Sequence, residues 1–434
     1  MQADWTFKDL NYWDEKICEI ATDYGLSWFP ISYEICDYYE MIGHMSYGGM
    51  PSHYQHWSYG KAFERSHQFY NLGLEGLPYE LIINSNPSIA YLMRENPLYL
   101  QILIMAHCVG HSDFFKNNRL FEKTRPEFVV SSFRTRKERI RGYVEDPHIG
   151  IDKVESLLDS IHSIRYQVER YGRERISHKA LKLEAIEMIN KSRESSDIDI
   201  NKVPIKEDSD ILGFFVEHGH HLEEWEKDII EICREESLYF VPQIRTKIVN
   251  EGWASFWHYK IMHDLDLPQK YHIPFIKTHN QVIRPHIGSI NPYHLGFHMF
   301  QKIEKEKGLE ACFEIREIHH DESAIRCFFD REDFEKLNIF SYSDRKDRVV
   351  VDDVSDIEGF DNVKRDLIKN TGINTIPHIY VDEMRSDGSL VVKHHHDGRD
   401  LELSYASKVI DHIAHIWKKP ITFLTVIEDE IWEI

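Results

Sequence analysis

The sequence predicts a mainly α-helical protein, with a large helical N-terminal domain over residues 1–290 followed by a smaller α/β domain over 291–434. Through most of the first part, apolar side chains recur three and four residues apart, the spacing of an amphipathic helix. Beyond about residue 320, short β-rich runs bounded by turn signals alternate with helical segments, the pattern of a small α/β unit. Hydrophobic residues make up 42% of the chain and aromatic residues 12%, which suits a packed globular protein of 434 residues rather than a disordered one.

The first predicted helix runs from Trp5 to Tyr24, where Phe7, Leu10, Trp13, Ile17, Ile20 and Ala21 share a face. Gly48-Gly49-Met50-Pro51 then forces a turn. His53 and His56, among aromatics in the segment 52–70, read as hydrogen-bonded core groups more readily than as metal ligands. Residues 79–86 form a short apolar run, either strand or helix. Asn86-Pro87-Ser88 is expected to cap a long helical region that reaches YLQILIMAHCVGHSDFF at 99–115. The basic stretch from Arg119 to Arg141 reads as a solvated helix face, helices are expected over 151–171 and 178–189, and the polar segment 191–210 reads as a surface loop or lid. A helix over 218–240 precedes a buried one within 241–267 that has Pro242 at its start. A helix at 293–308 follows, then strands at 324–329, 348–354, 376–381 and 390–396. Ser386-Asp387-Gly388 is a hairpin signal, residues 401–417 are helical, and 421–426 form a last strand.

The formal net charge of −21 repels phosphate backbones and anionic lipid, so neither nucleic acid nor a membrane is an expected partner. No apolar run approaches the roughly 20 residues of a membrane helix, and the N-terminus shows no export signal. Six dispersed cysteines without a C-x-x-C pair point to reduced thiols and a cytoplasmic location.

Two stretches carry chemistry. In VPQIRTKIVNEGWASFWHYKIMHDLDL at 241–267, Glu251, Ser255 and His258 project from one stripe of a helix otherwise packed with Trp and Phe. Burying a carboxylate and an imidazole there costs several kcal/mol unless each has a partner. In 99–115, His107 and His111 lie four apart, the arrangement by which one helix offers two nitrogens to one metal. Glu251 completes three ligands for a divalent metal, zinc above all, with the fourth position open to water or substrate. Candidate acid/base groups are Glu235 and Glu236 on the preceding helix and His258, the last alternatively a fourth ligand. Asp113 is expected to orient one imidazole, and Cys108 to be a small buried hydrophobe.

The string Asn250-Glu251-Gly252-Trp253-Ala254-Ser255-Phe256-Trp257 resembles the second-helix motif of gluzincin metallopeptidases, in which the Glu is the third zinc ligand. The sequence departs from them at Cys108, where gluzincins carry a general-base Glu. Over its whole length the chain resembles the stage V sporulation protein R (SpoVR) family. The words that carry this are GMPSHYQHWSYGKAFE at 49–64, YELIINSNPSIAYL at 79–92, AHCVGHSDFFKNN at 106–118, TKIVNEGWASFWHYKIM at 246–262 and INPYHLGFHMF at 290–300. The resemblance implies a role in spore cortex formation, the cell envelope or stress response, beside a serine protein kinase and a von Willebrand factor A-like protein. Two functions are therefore expected. One is a metal-dependent hydrolase of amide bonds in peptides or peptidoglycan. The other is a non-catalytic regulatory protein working with those partners, which Cys108 in place of Glu favours.

Overall fold

The computed structural model describes residues 4–71, 80–171, 183, 186–187, 207–286, 289–345, 348–354 and 356–434. These residues are mainly helical, with a smaller sheet region towards the C-terminus, as the sequence predicts. The expected helix at 178–189 and most of the polar segment 191–210 lie outside the described residues.

In chain order the elements begin with α1 (Phe7–Asp23), β1 (Ile31–Cys36), α2 (Tyr38–Ser46), α3 (Trp57–Asn71), β2 (Glu80–Ile83), β3 (Ser88–Met93) and α4 (Leu98–Asn117). Next come α5 (Val129–Glu145), α6 (Ile151–Ser163), α7 (Ile211–His218), α8 (Glu224–Arg245), α9 (Lys247–Asp264), α10 (Gln269–Val282), α11 (Pro292–Lys307) and α12 (Leu309–Ile318). The chain closes with α13 (Asp321–Phe328), α14 (Arg331–Lys336), β4 (Ser341–Arg345), β5 (Arg348–Asp353), α15 (Phe360–Lys369), β6 (Ile379–Met384), β7 (Leu390–His394), α16 (Leu403–Trp417), β8 (Ile421–Ile427) and β9 (Glu430–Glu433).

Two compact units emerge, each built from two stretches of chain: Met1–Lys137 with Pro242–Gly372, and Glu138–Val241 with Ile373–Ile434. The division does not follow the boundary expected at 290/291. The reason is packing: α11, α12 and α13 lie against α9, so they belong with the helices that precede 290.

In the first unit, β3 is the middle strand of a three-stranded sheet, parallel to β1 and antiparallel to β2. Residues 88–93 were expected to be helical, but they read SIAYLM, and Ser88, Ala90, Tyr91 and Leu92 are buried between two strands. The helix starts only after Pro97. From Leu100 to Phe115 every residue of α4 is buried, as expected of a helix enclosed on all sides. Pro242 does not open the central helix; it lies in the last turn of α8, and α9 starts past Thr246, whose hydroxyl donates to the Pro242 carbonyl. The Val249 N–H near the start of α9 donates to Asp321 Oδ1 at 3.0 Å, so this cap comes from a residue 72 positions away. Residues 324–329, expected as a strand, fall largely in α13, which opens with a His320–Ser323 capping box and buries Ala324 and Ile325.

In the second unit, β7 and β8 are parallel and joined by α16, a βαβ crossover. The hairpin β6–β7 and the strand β9 extend the sheet to the order β6-β7-β8-β9. α16 packs on α6, and Trp417 at its end meets the rings of Phe214 and Phe215 on α7. Helix α6 ends at Ser163 rather than near 171. Among the described residues no helix is long and apolar enough to cross a membrane.

Candidate metal centre

Glycine sets the distance between the helices that build the site. A Cβ on Gly110 of α4 would lie 2.7 Å from the Ala254 Cα of α9, so the two backbones touch there. His107 and His111 flank Gly110 on α4, and Glu251 sits about one turn before Ala254 on α9. This one close crossing therefore faces the two imidazoles towards the carboxylate. Glu80, the first residue of β2, reaches the same point from the sheet.

One donor atom from each of Glu80, His107, His111 and Glu251 lies within 4.8 Å of all the others, so this group could hold a metal ion. His111 Nε2 is 3.3 Å from Glu251 Oε2, and His107 Nε2 is 3.6 Å from Glu251 Oε2 and 3.5 Å from Glu80 Oε1. Donors about 2.0–2.1 Å from a tetrahedral zinc stand roughly 3.3–3.4 Å from one another, close to these spacings. His107 Nε2 and Glu251 Oε2 are buried and make no hydrogen bond. Buried polar atoms that converge without pairing are what a cation would satisfy. The imidazole side chains are 3% and 5% exposed, against 12% and 17% for Glu80 and Glu251, so the group opens on its carboxylate side.

Hydrogen bonds behind the group orient the rings. His111 Nδ1 is 2.9 Å from Asn250 Oδ1. An amide oxygen only accepts, so Nδ1 donates and the Nε2 lone pair faces the group. His107 Nδ1 is 2.8 Å from His258 Nδ1, and His258 Nε2 is 2.8 Å from His279 Nδ1. Burial opposes ionisation of Glu251, but the charges of His111 and His107 overcome it and hold this carboxyl well below the usual range. For Glu80, burial dominates and Glu251 adds to it, so its carboxyl is pushed up despite His107 and His111. His111 is disfavoured as a cation by burial, yet Glu251 outweighs this and raises its pKa. The cluster thus favours positive charge between imidazole and carboxylate. Tyr293, whose ring stacks over His107, is kept protonated, first by burial and then by the charges of Glu251 and Glu80.

The three expected ligands, His107, His111 and Glu251, are brought together. His258 is not at the open side: both its nitrogens are engaged behind His107, so it is neither a fourth donor of this group nor in contact with its carboxylates. Glu235 and Glu236 belong to α8, in the stretch of the second unit, and neither is in the four-residue group. Asp113 turns away from both imidazoles to bind Trp253 Nε1 and the Ser27 N–H, because two residues on from His111 the helix points elsewhere. Ser255 Oγ is buried and makes no hydrogen bond. The Cys108 thiol is fully buried, and burial raises its pKa well above the ordinary value. Glu80 and Tyr293 join the site without a local sequence signal: one opens a short apolar run, the other a helix some 40 residues beyond Glu251.

Burial, then His263 and His107, lowers the His279 pKa to about 4. Unfolded, the same ring titrates near 6.5. Between those values the unfolded chain binds more protons, so stability falls as pH falls. Denaturant unfolding of metal-free protein at pH 7, 5.5 and 4.5 is expected to show a loss of roughly 2 kcal/mol traceable to this residue. His279→Asn should flatten that slope; an unchanged slope would contradict the assignment.

A family model described as "SpoVR like protein" matches residues 4–376 of the chain. A curated relative, the "Uncharacterized protein YcgB" of Escherichia coli (strain K12), is 30% identical over 466 residues, covering 95% of this chain and 91% of that protein. No solved structure matches.

Proposed function

Since the chain belongs to the SpoVR-like family and its buried His/Glu group could hold a metal ion, we propose that it is a zinc-dependent hydrolase of amide bonds in peptides or peptidoglycan. The observation that carries this is the convergence of His107, His111 and Glu251, 3.3–3.6 Å apart and unpaired at two of their donor atoms. Held by these three, a zinc ion would supply Lewis acidity towards a carbonyl and lower the pKa of water.

Catalytic zinc sites use three protein ligands and keep one position open. That leaves Glu80 over. It comes from a strand rather than from either ligand helix, lies at the open edge, and approaches His107 Nε2 at 3.5 Å. Glu80 therefore takes the place for which Cys108 offers no base: it accepts a proton from the attacking water and returns it to the leaving amine. Tyr293, half-buried and protonated beside Glu251, offers an O–H donor at the same edge.

Elemental analysis of the purified protein is expected to find one zinc per chain, lost in Glu251→Ala and His111→Ala. Glu80→Gln should retain zinc while hydrolysis of peptides or peptidoglycan fragments falls about 100-fold or more. A wild type without metal sinks the proposal, and so does a zinc-loaded wild type that cleaves neither class. In the latter case the second reading is favoured, a non-catalytic regulator acting with a serine protein kinase and a von Willebrand factor A-like protein. The inert, buried Cys108 is the feature that favours it.

A further inference from the structure

His107, His258 and His279 come from three helices, α4, α9 and α10, and form a continuous imidazole chain with 2.8 Å links at both joints. His107 is 2% exposed, His258 1% and His279 2%. A neutral imidazole has one N–H and one lone pair, so the proton positions along such a chain are not independent. If His107 Nε2 offers its lone pair to a cation, its proton sits on Nδ1 and must be accepted by His258 Nδ1. The His258 proton is then on Nε2 and must be accepted by His279 Nδ1, which leaves the His279 proton on Nε2. If His107 Nε2 carries a proton instead, every link reverses. Only these two arrangements satisfy both joints, and a mixed one sets two lone pairs or two N–H groups against each other in a buried site, where neither has water to turn to.

We propose that His258 and His279 are positioning residues of the metal centre, forming a two-state tautomer relay that metal binding at His107 Nε2 switches as one unit. The proposal rests on the zinc assignment above. It gives His258 a task that explains a histidine there: an acceptor aimed at His107 and a donor aimed at His279, on opposite sides of one ring. The relay works as an outer partner of a metal ligand works, by fixing which nitrogen of His107 is bare and holding its ring in the plane the ion needs.

The relay makes a spectroscopic prediction that a merely space-filling histidine does not. Long-range 1H–15N correlation spectra of histidine-labelled wild type with zinc are expected to show His258 and His279 both protonated on Nε2 and bare on Nδ1. Zinc affinity, read by competition with a chromophoric chelator, supplies the second arm. His258→Leu removes the acceptor and should weaken zinc binding about 10–100-fold. His258→Asn, whose amide oxygen can stand where Nδ1 stands, should restore affinity to within about threefold of wild type. A zinc-loaded protein with His258 protonated on Nδ1, or a folded His258→Leu that binds zinc as wild type does, overturns the relay and leaves the metal site standing. A wild type that binds no zinc overturns both. Should His258→Leu not fold, the wild-type spectra alone decide.

Discussion

Gly252→Val is expected to abolish folding of the first unit. A Cβ at Gly252 would lie 2.3 Å from the Gly296 Cα, 2.4 Å from its carbonyl carbon and 2.8 Å from its oxygen; one at Gly296 would lie 2.2 Å from the Ile248 oxygen. All of these are backbone atoms, which cannot rotate aside as the end of a side chain can. Carbon atoms rest at about 3.5–4.0 Å, so α9 and α11 would have to separate by more than about 1 Å. Trp253, Phe256 and Phe300 pack beside this crossing and are fully buried, so separation also loosens their contacts. Overpacking by a few methyl groups costs about 1–3 kcal/mol even where neighbours can yield. Here none can, and a cost above about 4 kcal/mol removes much of a typical stability of 5–15 kcal/mol. Soluble yield and thermal melting check this, with Gly142→Ala on the open side of α5, where no atom lies within 4 Å, as a control expected to melt at or slightly above wild type. Wild-type melting of Gly252→Val would mean that these two helices do not meet as described. Gly110→Ala, 2.7 Å from the Ala254 Cα, is the milder case, and its cost should appear in metal affinity as well, since that contact spaces His107 and His111 from Glu251.

Both helices of the metal centre were legible in the sequence because their information is local. Four-residue spacing puts His107 and His111 on one face whatever surrounds them, and an acid amid Trp and Phe on the second helix needs a partner. Glu80 was not legible for the opposite reason. It reaches the site through the pairing of β2 with β3, which sets Glu80 opposite Leu92, and nothing near residue 80 encodes that pairing. The role of His258 depends on what its other nitrogen meets, and that is His279 on a different helix. Pro242 reads as a helix start from the sequence, whereas the chain stays helical through it and α9 begins only past Thr246. That α11 belongs to the first unit is hidden in the sequence because the Gly252–Gly296 contact ties it to the central helix, and a glycine pair 44 positions apart has no periodic signature.

Asp113→Ala is expected to cost about 3–5 kcal/mol, the penalty for breaking a buried charged pair from one side. The carboxylate has no exposed surface. Its Oδ1 accepts the Ser27 N–H at 2.8 Å, its Oδ2 accepts Trp253 Nε1 at 2.9 Å, and Arg316 Nε stands 3.4 Å from Oδ2. Burial raises its pKa to about 6, with Arg316, Ser27 and Trp253 opposing that rise, so the group is ionised at pH 7.5. Alanine would strand the buried Trp253 N–H and take the acceptor from the Ser27 N–H, and it would leave the guanidinium of Arg316 facing the rings of Trp253 and Phe313 with its nearby negative charge gone. Asp113→Asn keeps an acceptor but not the charge, so its cost should fall between that of alanine and zero; denaturant unfolding at pH 7.5 orders the three proteins. The same substitutions separate stability from chemistry. Asp113 shares α4 with His111 yet faces the opposite way, so a folded Asp113→Asn should bind zinc within a few-fold of wild type, whereas Glu251→Gln should lose zinc at far smaller cost in stability. If Asp113→Asn abolished metal binding while remaining as stable as wild type, the separation of a structural carboxylate from a ligand-bearing one along this helix would be wrong.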